Sequence, residues 1–579
     1  MNIKRFILFI SCIGFAHGDI VVPTTSVELT QARIIAGQFL SQTTMGATPW
    51  ATNELAKDIV AKGENEALNT WLDDQFDKDV VNHYDYGATI LNKYQTLGQT
   101  PFMAYYQEGV WWDRSLRAQD QLRQRVAWGL SQIIVAGGDV SDHGRLASLK
   151  YYDLLQKHAF GDYRELLTDV TYSPLMGTYL SSVLNGKGDD AAGIFADENY
   201  AREVMQLFSM GIYDRQMNGE YILNKDGSIK ENYTNDDIKG LARVMTGLVF
   251  ADRTTKGLPA RYYGALYNHL DPMLMNQEFH DTTAKTILGE FFPAGGDGNE
   301  EIARALDIIA ATPSVPPYMS MTLIKRLTSS NPSSAYIERV ANVWKSTNGN
   351  LKEVVRAIYM DEEARNTTSF EVTALANEPG MSLIQVETND ELGGRQMEPA
   401  LRMVQFYRLF KPESVHEDGF FGPDYTAHLY TAQRPMYQTS VFNDFSAEYS
   451  PGTGPLANYV EENNVDLVMP ESELMHRSYI SQYEYTERLV KNRAVTESAF
   501  RGNDASPLAR LQNLRSWYLK DNDISKVIKW LNLYACQGRM SMDLQEDLAT
   551  LFNRQSNASS RFDLAVNTIL NSTEAIIID

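Results

Sequence analysis

The sequence predicts an all-α fold, a multi-helix globular protein with a minor β-hairpin, built as two packed lobes. Three observations predict it. Apolar residues recur at helical spacing along most of the chain, and strand-like alternation is confined to one short stretch. Residues 367–394 form the longest irregular segment and mark the seam between the lobes. A chain of 579 residues would on average hold more than one domain. The expected division is residues 1–18 as a signal peptide, 19–375 as a helical main lobe and 376–579 as a C-terminal helical lobe.

The elements follow in order. Residues 119–135 place Leu122, Val126, Leu130 and Ile133 at helical spacing, which turns Arg123 and Arg125 outward. The segments 151–160, 163–170 and 175–184 repeat the pattern over short turns, and 236–249, 300–309, 318–327 and 335–344 continue it. Residues 504–518, 524–533, 542–552 and 561–570 read as four closing helices. The hairpin is expected where 220–223 and 228–233 flank the turn Asn224-Lys225-Asp226-Gly227. That turn resembles a calcium loop only superficially, because it lacks the ligand series and the closing Glu.

The N-terminus has the three-part layout of a secretory signal. Lys4 and Arg5 precede an apolar run from Phe6 to Phe15, and Ala16-His17-Gly18 supplies small residues for cleavage after Gly18. The run is too short to anchor the chain in a bilayer. Lipidation at Cys12 is the weaker reading, since Phe9-Ile10-Ser11 is a poor lead-in. Cleavage would take the formal charge from -22 to -24. So acidic a chain repels phosphate backbones and anionic membrane surfaces, which argues against nucleic acid as a partner. Only Cys536 would survive cleavage, which excludes an intrachain disulfide and a thiolate zinc site.

Several stretches share an order with one family. They are FLSQTTMGAT from Phe39, WLDDQF from Trp71, QLRQRVAWGLSQIIV from Gln121 and HAFGDYRELLTDVTYSPLMGTYL from His158. The most specific is DENYAREVMQLFSMG, Asp197 to Gly211. HDTTAKTILG from His280, LIKRLTSSNPSSAYIERVA from Leu323 and PMYQTSVFNDFSAEYSPG from Pro435 follow. Together they resemble the large exported bacterial proteins catalogued as domain of unknown function 1800, over roughly residues 32–475. The resemblance implies export, a helical module and partnership with another exported, sulfatase-like family. It brings no activity with it, so chemistry must come from the residues.

Read as a helix, residues 197–212 put Tyr200, Val204, Leu207 and Phe208 on one side. Glu198, Asn199, Arg202, Glu203 and Gln206 fall on the other. An ordinary amphipathic helix explains this, with Asp197 as N-cap and Glu198–Arg202 as an i,i+4 pair. Because the polar stripe belongs to the resemblance as much as the apolar one, we also read it as lining a cleft shared with His280. In that reading Glu198 or Glu203 is acid or base, His280 and Asp281 assist, and Arg202 and Asn199 hold substrate. The bland alternative for His280-Asp281 is that Asp281 caps a helix from Thr282 and pairs with Lys285. His158, at the end of its helix, suits the helix dipole, and Asn185 caps or lines a pocket. Brought together, His158, His280 and the carboxylates could bind a divalent metal. No H-E-x-x-H, G-x-S-x-G or Walker loop is present. Paired aromatics at Tyr105-Tyr106, Trp111-Trp112 and Tyr262-Tyr263 suit stacking on sugar rings, or else a core.

Two functions stay open. One is an exported binding or assembly partner in the periplasm or outside the cell. The other is a secreted hydrolase or lyase acting on extracellular polysaccharide by carboxylate and histidine chemistry. Export itself is directly checkable: N-terminal sequencing of periplasmic or secreted protein should begin at Asp19, and an acylated Cys12 would contradict it.

Overall fold

In a computed structural model the described residues are 27–96, 106–137, 145–189, 192–251, 268–365, 369–374, 382–387, 394–411, 435–436, 446–449, 467–469 and 509–578. The signal segment, the lobe boundary at 375/376, Tyr105, Tyr262, Tyr263 and most of the block from Pro435 lie outside them. Helices dominate, with only short two-stranded sheets among them. Periodicity located the helices well where a side-chain cap also marks the start. Asp162 accepts from the Glu165 N–H at the head of Tyr163–Thr171, and Asp297 accepts from Asn299 and Glu300 at the head of Gly298–Ala310. Ile524–Tyr534 and Met542–Asn553, capped by Asp523 and Ser541, likewise match their expected positions.

Four local expectations are corrected. The helix expected at 175–184 stops at Tyr179, and Ser181 and Leu184 then take left-handed conformations. The segment 197–212 is helical only over Asn199–Gln206. Within 367–394, Ser369–Ala374 pairs antiparallel with Ser382–Glu387. Most plainly, Arg123 and Arg125 do not face water. Helix Gln121–Ser131 is buried along its whole length among Glu64–Phe76, Arg145–His158 and Val315–Leu327. Arg125 survives there by donating from Nη2 to the Arg326 carbonyl at 3.0 Å, and Arg123 lies over the Phe160 ring.

The expected turn at Asn224–Gly227 is present, closed by Asn224 N–H donating to the Ser228 carbonyl at 2.8 Å. Bridges Leu223–Ile229, Arg215–Tyr221 and Tyr213–Glu231 extend the hairpin into a small meander. Trp111 and Trp112 are core residues packed edge to face, so they offer no platform to a sugar. One cluster of buried side chains runs from Ala32 to Ile578. The ends of the chain meet within it: Asn53 donates to the Tyr534 hydroxyl at 3.0 Å, and Ile577–Ile578 pairs with Arg395–Gln396. Cys536 is fully buried, and burial pushes its thiol pKa up. No helix among the described residues is long and apolar enough to cross a membrane.

The region that matters for the site is built around Leu248–Val249, which pairs with Leu274–Met275. On its other side the Leu184 N–H donates to the Leu248 carbonyl, and the Gly247 N–H donates to the Asn185 carbonyl, both at 2.8 Å. Gly247 has φ +94, and a Cβ there would come within 2.9 Å of the Asn276 carbonyl oxygen. Only glycine allows the three segments to cross so closely.

Candidate functional site

The helix Asn199–Gln206 enters from a fixed loop. Asn185 and Asp197 clasp each other: the Asp197 N–H donates to Asn185 Oδ1 at 3.0 Å, and Asn185 Nδ2 donates to the Asp197 carbonyl at 3.3 Å. The Asp197 carboxylate then accepts from the Asn199 N–H at 2.9 Å. Asn185 is thus a loop-to-helix fastener, and Asp197, rather than the formal cap Glu198, satisfies the helix start.

Burial divides the polar stripe. Arg202 pairs with Glu198 at 3.1 Å while keeping 40% and 35% of their side chains exposed. Asn199 is exposed as well. Glu203 points the other way and is buried, with its Oε2 unpartnered among the described residues. Burial pushes its carboxyl pKa up, and Arg202 pulls part of the way back. The neighbouring Tyr233 is raised to about 12 by its own burial and by the Glu203 charge.

His280 and Asp281 lie at the centre of a second, enclosed cluster. His280 Nδ1 faces the Thr246 carbonyl at 2.9 Å, and a carbonyl can only accept, so Nδ1 carries hydrogen. Its Nε2 meets Glu301 Oε2 at 3.1 Å, and Lys285 Nζ reaches the same oxygen at 2.5 Å. Lys285 also donates to the Asp281 carbonyl oxygen. His280, Lys285 and Glu301 are all buried. Asp281 neither caps a helix at Thr282 nor pairs with Lys285, because Lys285–Ile287 is a strand held against Glu290–Phe292. Its carboxylate instead accepts from the Thr283 N–H and pairs with Arg243 at 2.7 Å. Burial opposes ionisation of Asp281, but the hydrogen bonds from Arg243 and Thr283 outweigh it and hold its pKa at about 2.

His158 is elsewhere. It joins the end of its helix to Asp169 at 2.7 Å, and Lys157 shares that carboxylate. The hydrogen bond from His158 is the main cause that draws Asp169 down to about 2. No hydrogen bond or ion pair among the described residues joins the Asn199–Gln206 stripe to His280 or His158. Among those residues no three His, Cys, Asp or Glu side chains converge as a metal would require.

The same frame exposes an apolar face that periodicity did not reveal. The Lys187 N–H donates to the Phe279 carbonyl at 2.7 Å, and Asp189 and Ile194 form a reciprocal bridge. Leu184, Ile194, Phe195 and Phe279 lie on these backbone-linked segments, each at least half exposed and Phe195 at 75%. Leu274, on the strand beside Leu248–Val249, is also more than half exposed.

A family model described as a protein of unknown function (DUF1800) matches residues 38–577. The chain belongs to that family. Searches of curated proteins and of solved structures gave no match. In this DUF1800 chain, two features of the site had a sequence signal that went unread. Glu301 stands four residues before Ala305, on the apolar face of its helix, so its burial was legible. Ile194-Phe195 is an apolar pair in a loop between Gly193 and Asp197, with no periodic element to bury it.

The two clusters should respond differently to truncation. Glu301→Gln leaves the Lys285 ammonium buried without its counter-charge and should cost about 3–5 kcal/mol. Arg202→Ala removes a half-exposed pair and should cost about 0–1 kcal/mol. Denaturant unfolding of both variants measures this, and equal costs would contradict the assignment.

Proposed function

We propose that this protein is an exported binding or assembly partner that docks another exported protein on the face bearing Leu184, Ile194, Phe195 and Phe279. The observation that carries the reading is that apolar side chains stand exposed on a loop pinned by backbone hydrogen bonds at Leu184, Lys187 and Asp189. Contiguous apolar surface rimmed by polar residues marks interaction sites in soluble proteins, and a preorganised loop loses less entropy on binding. Lys187, Glu198, Asn199 and Arg202 supply that rim from the same loop and the helix it leads into. Leu184, Ile194, Phe195 and Phe279 carry no polar tip that would hydrogen-bond a sugar hydroxyl beside a stacked ring, so the face suits a protein better than a polysaccharide. A sulfatase-like exported protein, the partner implied by resemblance, is the first to test.

One observation favours the second reading, a hydrolase or lyase acting on extracellular polysaccharide. Glu203 has the buried, raised carboxyl expected of a general acid. Glu198 would then complete the acid–base pair, Arg202 and Asn199 would hold substrate, and His280 with Asp281 would stiffen the site from behind.

A photo-crosslinking residue at Phe195 or Phe279 should capture one exported protein in cells, and the same residue at Lys57 should not. Phe195→Asp should weaken binding of that purified partner at least tenfold with no change in thermal midpoint. Equal capture at Lys57 would contradict the docking face. Release of reducing ends from polysaccharide, abolished by Glu203→Gln, would install the enzyme reading instead.

A further inference from the structure

Away from this region, the interior holds an unbalanced charge. Arg125, on the Gln121–Ser131 helix, and Arg395, on the strand paired with Ile577–Ile578, are both fully buried. So is Glu398, at the N-cap of Pro399–Phe410, which forms an ion pair with Arg395. Arg125 and Arg395 each act on the Glu398 charge, and together they hold its carboxyl low against the opposing effect of burial. The Tyr359 hydroxyl beside them donates to the Gln42 carbonyl at 3.2 Å, so it is neutral and offsets nothing. Among the described residues, two guanidiniums stand against one carboxylate, which leaves one net positive charge with no exposure to water.

The hydrogen-bond inventory points the same way. Glu398 Oε2 has no donor among the described residues, while Nε and Nη1 of Arg125 and Nε and Nη1 of Arg395 have no acceptor among them. All four nitrogens are donors, and a guanidinium cannot shed its proton to relieve the charge. Ordered water could accept from these groups, yet it would leave the charge uncompensated, which is costly at such burial. A single small anion answers both demands, because it accepts several N–H groups and cancels one charge.

We propose that Arg125 and Arg395 hold a small monovalent inorganic anion of the halide class as a structural ion. The site joins the helix Gln121–Ser131 to the segment Arg395–Glu398, and through it to the end of the chain. Monovalence follows from the single excess charge, and small size from the absence of exposure at any of the three side chains.

The test is thermal unfolding of the purified full chain at constant ionic strength, with chloride or bromide replacing gluconate. The midpoint should rise with halide concentration and saturate, as for any ligand bound only by the folded state. Bromide crystals should show an anomalous peak within hydrogen-bond reach of both guanidiniums. Arg125→Met, which leaves the neutral Arg395–Glu398 pair, should lose the halide response. If that variant does not fold, the wild-type series and the anomalous map still decide. Identical midpoints in halide and gluconate, or only water at the bromide position, would overturn the proposal. A response to sulfate or phosphate but not to halide would also overturn it.

Discussion

One carboxylate, Glu301, holds together the part of the molecule on which the functional reading rests. Its Oε2 receives both His280 and Lys285 in a site closed to water. A buried ammonium cannot persist there without a counter-charge. Because Nδ1 of His280 is committed to the Thr246 carbonyl, the ring cannot swing away, and the chain around residue 246 is tied to the helix that carries Glu301. Asp281 extends the tie through Arg243 to the helix Asn235–Val244. The HD pair is therefore a clamp between two helices and a short sheet.

The clamp fixes the crossing at Gly247, and the crossing fixes the loop from Leu184 to Asp197. The chemistry of the surface follows from this mechanical order. Where the loop returns to the core, Asn185 and Asp197 lock the start of the Asn199–Gln206 helix. Where it projects, Ile194 and Phe195 stand in solvent. Glu203 turns inward from the same helix while Glu198 and Arg202 remain at the rim. One short helix thus separates a buried carboxyl from a part-exposed ion pair.

Much of the fold was legible because helical spacing and caps are local signals. Apolar spacing located the helices that Asp162 and Asp297 cap, and the turn at Asn224–Gly227 announced the hairpin. Long-range packing was not legible in the same way. Arg125 looked like a surface residue because the chain does not say how many helices surround Gln121–Ser131. The strands Ser369–Ala374 and Ser382–Glu387 were hidden by the turn-forming residues between them. Of the site, the sequence singled out the residues but not their partners. Glu301, Arg243 and Thr246 lie tens of positions from His280 or on other elements, and only folding brings them to it. The paired tryptophans take the second of the two readings their composition allowed, since Trp111 and Trp112 are core residues.

The central claim is that the apolar loop is held in one conformation before any partner arrives. Hydrogen–deuterium exchange of the isolated protein, read residue by residue over 184–197, tests it most directly. The account predicts slow exchange at the Leu184, Lys187 and Asp197 amides, whose acceptors are named above, beside fast exchange at Gly193 nearer the tip. Uniformly fast exchange across the segment, at the rate of an unstructured chain, would contradict it.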